Sequence, residues 1–144
     1  MLLQKVKSYF RVRDLTFIKE RDDALYKAYV TALRQPDVKS HQQAIEVAVN
    51  SPTSQFWIEP YRAYLEILWR EKKCRPKPIR SYRKQLIDDL YAAYLSVKDL
   101  SIFKGCSVLF ISQYAVGLPA KSFYMSEITA KRIINRKRRE KRCK

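Results

Sequence analysis

Apolar positions fall at helical spacing in six stretches of this chain, and the stretches come in two sets of three. From about Arg21 to Gln35, Leu25, Ala28, Tyr29, Ala32 and Leu33 recur every three or four residues, which predicts a helix with one buried stripe. Pro36 and Asp37 end it. Ser40 followed by Gln43 three residues later is a capping box, so a second helix is expected from His41 to Val49 with Ala44, Ile45, Ala48 and Val49 inward. Asn50-Ser51-Pro52 stops that helix, because Asn tolerates a left-handed end and Pro52 cannot continue the ladder. Phe56-Trp57-Ile58 reads as a short extended piece. Pro60 then opens a third helix to about Lys72, turning Ala63, Ile67 and Leu68 inward.

The second set repeats the order. Tyr82 to Val97 predicts a helix with Leu86, Leu90, Ala93, Tyr94 and Val97 on one face. Ser107 starts another, which runs to about Val116 and is stopped by Gly117 and Pro119. Phe123-Tyr124-Met125 is the extended piece, and Ser126 caps a last helix with Glu127 in its positive first turn. Ala130, Ile133, Ile134 and Lys137 share its inner side. The sequences themselves correspond: Asp23 to Thr31 matches Asp88 to Ser96 at an offset of 65, and Ala48 to Ile58 matches Ala115 to Met125 at an offset of 67. Ala63 and Ile67 then match Ala130 and Ile134. A period of this length is longer than solenoid repeats, so the reading is two duplicated small modules. The expected organisation is all-α, with two tandem three-helix, helix-turn-helix-like modules. It divides into a basic N-terminal arm over 1–19, a first module over 20–73, a linker over 74–81 carrying Pro76 and Pro78, and a second module over 82–144. Within the arm, Phe10 and Val12 alternating with Arg11 and Arg13 suit a strand. Val6, Phe10 and Phe17 suit a helix, and periodicity does not choose between them.

Charge changes the picture most. Lys and Arg number 30 against 14 acidic residues, a formal net charge of +16. Such an excess repels itself unless a polyanion offsets it, and nucleic acid is the most economical partner. Much of it is concentrated: Lys131 to Lys144 holds nine basic residues and one acid, Glu140. The arm adds Lys5, Lys7, Arg11, Arg13 and Lys19, and the linker region adds Lys72, Lys73, Arg75, Lys77, Arg80, Arg83 and Lys84. This clustering is the footprint of nucleic-acid binding. In a helix-turn-helix arrangement the third helix enters the major groove. The candidate contacts are therefore Arg62, Arg70, Lys72 and Lys73 in the first module and Lys131, Arg132, Asn135, Arg136, Arg138, Arg139 and Arg142 in the second, with Arg11 and Arg13 from the arm. Arg and Lys suit guanine edges and Asn suits adenine. The connection between second and third helices, roughly nine residues, is longer than the three or four of the usual motif. Phe56, Trp57, Phe123 and Tyr124 could stack on single-stranded bases, but equivalent aromatics in both repeats read first as core.

Other chemistry finds little support. There is no glycine-rich phosphate loop, and the single histidine, His41, stands beside no nucleophile. Cys74, Cys106 and Cys143 are too far apart for a zinc site and read as reduced thiols. Neighbouring carboxylates in Asp22-Asp23 and Asp88-Asp89 point apart on a helix and are expected to favour its positive N-terminus rather than form an acid–base dyad. No catalytic residue, cofactor or metal is expected. The apolar start Met1-Leu2-Leu3 is broken at once by Gln4 and Lys5, and no apolar run is long enough for a bilayer, so neither a signal peptide nor a membrane partner is expected.

Ala48-Val49-Asn50-Ser51-Pro52, followed by Phe56-Trp57-Ile58 and Ala63, resembles small basic proteins encoded by phages and mobile elements of Bacteroidetes. Gln55 and Ser122 stand where that pattern usually has arginine, and the second module keeps Pro119 and the aromatic pair. The resemblance implies a phage-like setting: the cytoplasm of a bacterial host, or a virion. The expectation is thus a non-enzymatic nucleic-acid-binding protein, duplex DNA ahead of RNA. The alternative is a virion structural or assembly protein whose basic surface meets packaged genome or acidic partner subunits.

Overall fold

The structure is a computed structural model that describes the backbone of residues 2–76 and 78–142 and the side chains from residue 17 onward within those spans. It is all-α: α1 (Leu2–Leu33), α2 (His41–Val49), α3 (Pro60–Glu71), α4 (Ser81–Lys98), a 3-10 turn (Ser101–Phe103), α5 (Val108–Val116) and α6 (Glu127–Arg142). The capping chemistry read from the sequence is in place. Ser40 Oγ accepts from the Gln43 N–H at 3.1 Å, while the Gln43 side chain accepts from the Lys39 N–H at 2.7 Å. Ser107, its counterpart in the second repeat, accepts from the Phe110 N–H at 3.2 Å, and Ser126 accepts from the Thr129 N–H at 3.1 Å. The backbone of residues 2–19 is helical and continuous with the first predicted helix, so no separate arm is set off from it; the side chains of Arg11 and Arg13 lie outside the described residues.

The packing units are not the sequence units. α1 and α2 close on α6, and α4 and α5 close on α3, so each three-helix group takes two helices from one repeat and the third from the other. The first group buries Leu25, Tyr29, Ala44, Ile45, Ala48 and Val49 against Ala130, Ile133 and Ile134. The second buries Leu86, Leu90, Tyr94, Ile111, Ala115 and Val116 against Ala63 and Ile67. The modules read as 20–73 and 82–144 are thus exchanged at their third helices. The ten-position connections at 50–59 and 117–126 supply the reach: at ~3.3 Å per residue they can span ~30 Å, where three or four residues would keep the third helix at home. The aromatic triplets travel with the crossing. Trp57 joins the first core and Phe56 and Ile58 the second; Phe123 and Met125 join the first, away from their own α4 and α5.

A local twofold relates the two crossings. Thr53 and Ala120, equivalent residues, form an isolated antiparallel bridge with both N–H groups donating at 2.9 Å. Two further bonds are also images of each other: the Phe56 N–H donates to Val116 O at 2.9 Å, and the Phe123 N–H to Val49 O at 3.0 Å. Among the described residues this bridge is the only β pairing, and the expected extended pieces form no strand. The acidic pairs also differ from expectation. They lie inside α1 and α4 rather than at helix starts, and they tie the crossing in place. Lys137 Nζ meets Asp23 Oδ1 at 2.5 Å, and its image, Arg70 Nη2, meets Asp88 Oδ1 at 2.5 Å.

Candidate nucleic-acid interface

α6 has two chemically opposite sides because its residues alternate at the helical period. Ala130, Ile133 and Ile134 are buried against α1 and α2. Along the edge of that face, Arg136 pairs with Asp22, which is almost fully buried, and Lys137 with Asp23; both also reach towards Glu140 at 3.9 Å. The Lys137 ammonium, by donating to Asp23, holds that carboxyl below the ordinary aspartate value. These two cations are committed to the fold.

The remaining cations of α6 are not. Arg132, Asn135, Arg138, Arg139 and Arg142 fall three or four residues apart and line a shallow hollow of about 440 Å³ with no carboxylate among its walls. None of the four arginines makes an ion pair among the described residues. From Arg132 to Arg142 the stripe is ~15 Å long at 1.5 Å per residue. Lys131 is exposed on the adjoining flank, where it and Arg138 face His41 of α2. The His41 ring accepts or donates through Nδ1 to the Tyr29 hydroxyl at 2.7 Å, and burial first, then Arg138 and Lys131, pushes its pKa below the ordinary histidine value.

α3 occupies the equivalent place in the other group and carries a different surface. Leu65, Leu68 and Glu71 stand where α6 has Arg132, Asn135 and Arg138. Glu66, the counterpart of Ile133, is fully buried and draws two arginines inward: Arg75 by a two-pronged contact at 2.9 and 3.0 Å, and Arg62 at 3.4 Å. Both guanidiniums lie over Trp69, at 5.4 and 5.8 Å from the ring centre. Arg70 is held by Asp88. Lys72 and Lys73 are exposed just beyond the helix end. Of the first repeat's candidates, Arg62 and Arg70 are therefore matched within the chain and Lys72 and Lys73 are exposed, while Arg132, Asn135, Arg138, Arg139 and Arg142 of the second form a free stripe.

Three further cations flank this stripe; Lys19 and Lys141 belong to the basic runs of the sequence, and Lys27 is the one that sequence reasoning missed. Lys19 and Lys27 of α1 and Lys141 of α6 line an open groove of about 1140 Å³ between those helices, where the Lys141 ammonium sits 4.6 Å from the Tyr26 ring centre. Lys19 and Lys27 are eight residues apart on one helix, a spacing that puts them on one side and could have flagged Lys27.

No family model, curated protein or solved structure matches the chain. Among the described residues no helix is long and apolar enough to cross a membrane, and no three His, Cys, Asp or Glu side chains gather as they would around a metal ion.

Proposed function

We propose that this chain is a non-enzymatic nucleic-acid-binding protein that holds duplex DNA through phosphate contacts from the outward face of α6. The observation that carries the reading is the separation of charge on that helix. Arg136 and Lys137 neutralise the buried and half-exposed aspartates of α1, while Arg132, Arg138, Arg139 and Arg142 are left without carboxylates along a line. Guanidinium groups arrayed in this way suit phosphate oxygens, which they bind two-pronged, and Asn135 in their midst suits an adenine edge. Lys19, Lys27 and Lys141 extend the positive surface to one side.

The test is binding of the purified chain to labelled duplex DNA across a salt series, with duplex RNA as competitor. Several phosphate contacts give an affinity that falls linearly with the logarithm of salt, by about 0.9 per contact. A flat salt dependence, or better competition by the RNA duplex, would overturn the reading.

A further inference from the structure

A second basic feature lies where the two exchanged groups meet. Arg21 of α1, Arg80 and Arg83 at the start of α4, Trp57, Tyr124 and Ser126 line a pocket of about 320 Å³ whose walls include no carboxylate. That volume is at the small end of the range for small-molecule sites. Trp57 and Tyr124 are equivalent residues of the two repeats, so the pocket straddles the local twofold.

Its arginines are poorly matched. Arg21 shares Asp22 with Arg136. Arg80 and Arg83 make no ion pair among the described residues. Arg83 is half-buried and stands close enough to Arg62 and Arg75 for the three to repel: burial first, then Arg62, lower its pKa from the ordinary arginine value, and Glu66 and Glu59 offset this only in part. Close to it, the buried Arg75 Nη1 makes no hydrogen bond, and the buried Arg62 Nε makes none either, although it lies 3.4 Å from Glu66. Arg80 also occupies the N-cap of α4, so no side chain accepts from the first N–H groups of that helix, and its first turn holds no acid. A bound anion would supply what both the guanidiniums and the helix start lack.

Of the remaining walls, Trp57, Tyr82, Phe123 and Tyr124 are aromatic, and the backbone of Tyr124 is strained. Tyr124 has φ 52°, a left-handed conformation costly for a ring-bearing residue, whereas its counterpart Trp57 does not. The twist stacks Tyr124 on Phe56 at 6.3 Å and 10°, and its hydroxyl donates to Asp89.

From these features we infer that the pocket seats a nucleoside phosphate, its base against Trp57 or Tyr124 and its phosphate on Arg80 and Arg83. Two sources share this chemistry: a free mononucleotide, and the 5′-phosphorylated end of a strand. The pocket stands without the duplex reading, but the second source rests on it, since Thr129 of the pocket lies one turn from Arg132 at the head of the α6 stripe.

The test follows the two indole N–H signals of the full chain by NMR while adenosine 5′-monophosphate, inorganic phosphate, or a tetranucleotide with and without its 5′-phosphate is added. Trp57 lines the pocket and Trp69 does not, so Trp57 reports and Trp69 is the internal control. The expected result is a saturable shift of Trp57 with the mononucleotide or the phosphorylated tetranucleotide, weakened about tenfold by Arg83→Gln and by the exposed Arg80→Gln, as for loss of one charge-assisted contact. Saturation by the mononucleotide assigns a free ligand; saturation by the phosphorylated tetranucleotide alone assigns a strand end. Arg132→Gln/Arg138→Gln/Arg139→Gln should leave mononucleotide binding intact while weakening duplex binding, which separates the two readings. No saturation below millimolar concentration, an equal response to inorganic phosphate, or wild-type affinity in both arginine variants would overturn the inference.

Discussion

The third helices α3 and α6 come from matching stretches of sequence, sit in equivalent places and are chemically different. Each is anchored by the same apolar pair, Ala63 and Ile67 in one and Ala130 and Ile134 in the other, all fully buried. Each is tied to the first helix of the opposite repeat by an equivalent ion pair. Beyond those anchors they part. α3 takes in the Glu66 carboxylate, towards which Arg62 and, from beyond the helix end, Arg75 turn, and Leu65, Leu68 and Glu71 stand at the positions that match Arg132, Asn135 and Arg138. α6 keeps an isoleucine at that buried position and leaves its arginines to solvent. The two helices fill matching places in the fold, and under the proposed function it is α6 whose outward face suits a polyanion. Total charge could not have shown this, because paired and free arginines count alike.

The largest expected effect is on that free surface. Replacing Arg132, Arg138, Arg139 and Arg142 together by glutamine should flatten the salt dependence of duplex binding by a slope of about 3.6, with affinity near physiological salt falling by about a hundredfold or more. Filter or anisotropy titrations across salt measure it. The fold should survive, since none of the four contributes an ion pair among the described residues. An unchanged slope would show that the stripe does not meet phosphate and would remove the functional difference between the helices.

Next comes the buried carboxylate of α3. Removing one partner of a buried, hydrogen-bonded ion pair leaves the other without compensation, at a cost of about 3 kcal/mol. Glu66→Gln should therefore lower the unfolding free energy by about that amount, seen in a denaturant titration, with duplex binding unchanged at temperatures where the variant stays folded. Arg75→Gln in the same chain should recover part of the loss, because the two side chains interact directly at 2.9 and 3.0 Å. Strict additivity of the two substitutions would argue that Glu66 is held by something other than Arg75.

A smaller effect is expected from the arginines of α3 that residue type alone marks as readers. Arg62→Ala and Arg70→Ala should change duplex affinity by no more than about threefold, because their charge is already matched by Glu66 and Asp88. The Arg70–Asp88 pair is partly exposed, so its loss should cost no more than about 1 kcal/mol. A tenfold loss of binding from either would restore α3 as a contact helix.

Local signals carried the other five helices and their caps through to the structure with little change, whereas the first helix begins at Leu2 rather than near Arg21 and leaves Leu33 exposed. Ser40, Ser107 and Ser126 each announced a helix start through chemistry confined to three residues, and Ala44, Ile45, Ala48 and Val49 are buried as their spacing requires. The exchange of third helices was not legible in this way. A third helix with Ala63 and Ile67 inward satisfies its own repeat or the other equally well, because equivalent cores offer equivalent partners. The length of the two connections was the one hint, and it was visible as a misfit to the helix-turn-helix motif. The free stripe was legible as a cluster of residue types, yet the capture of Arg136, Lys137, Arg62 and Arg70 depends on carboxylates more than fifteen positions away in most cases. The pocket at Arg80 and Arg83 needed the exchange itself, since its walls come from both repeats.

The smallest effect is also the most local probe of where a polyanion lies. His41 is the chain's single histidine, so its ring signals need no assignment. In the free protein burial, then Arg138 and Lys131, depress its pKa, so the folded state resists a proton that the unfolded state accepts near pH 6.5. The sign follows: this contribution to stability is fully present above the unfolded value and is lost as pH falls through about 6.5 towards the folded value. Thermal unfolding temperature should accordingly decline from pH 7.5 to 5.5, and less so in His41→Gln. Duplex DNA laid along α6 would screen Arg138 and Lys131 and leave burial as the main depressing influence, so the His41 pKa should rise on binding and complex formation should take up protons below neutrality. An NMR titration of the ring with and without duplex measures both. An unmoved His41 in the saturated complex would place the nucleic acid away from the Lys131–Arg138 flank, and so away from the side that distinguishes α6 from α3.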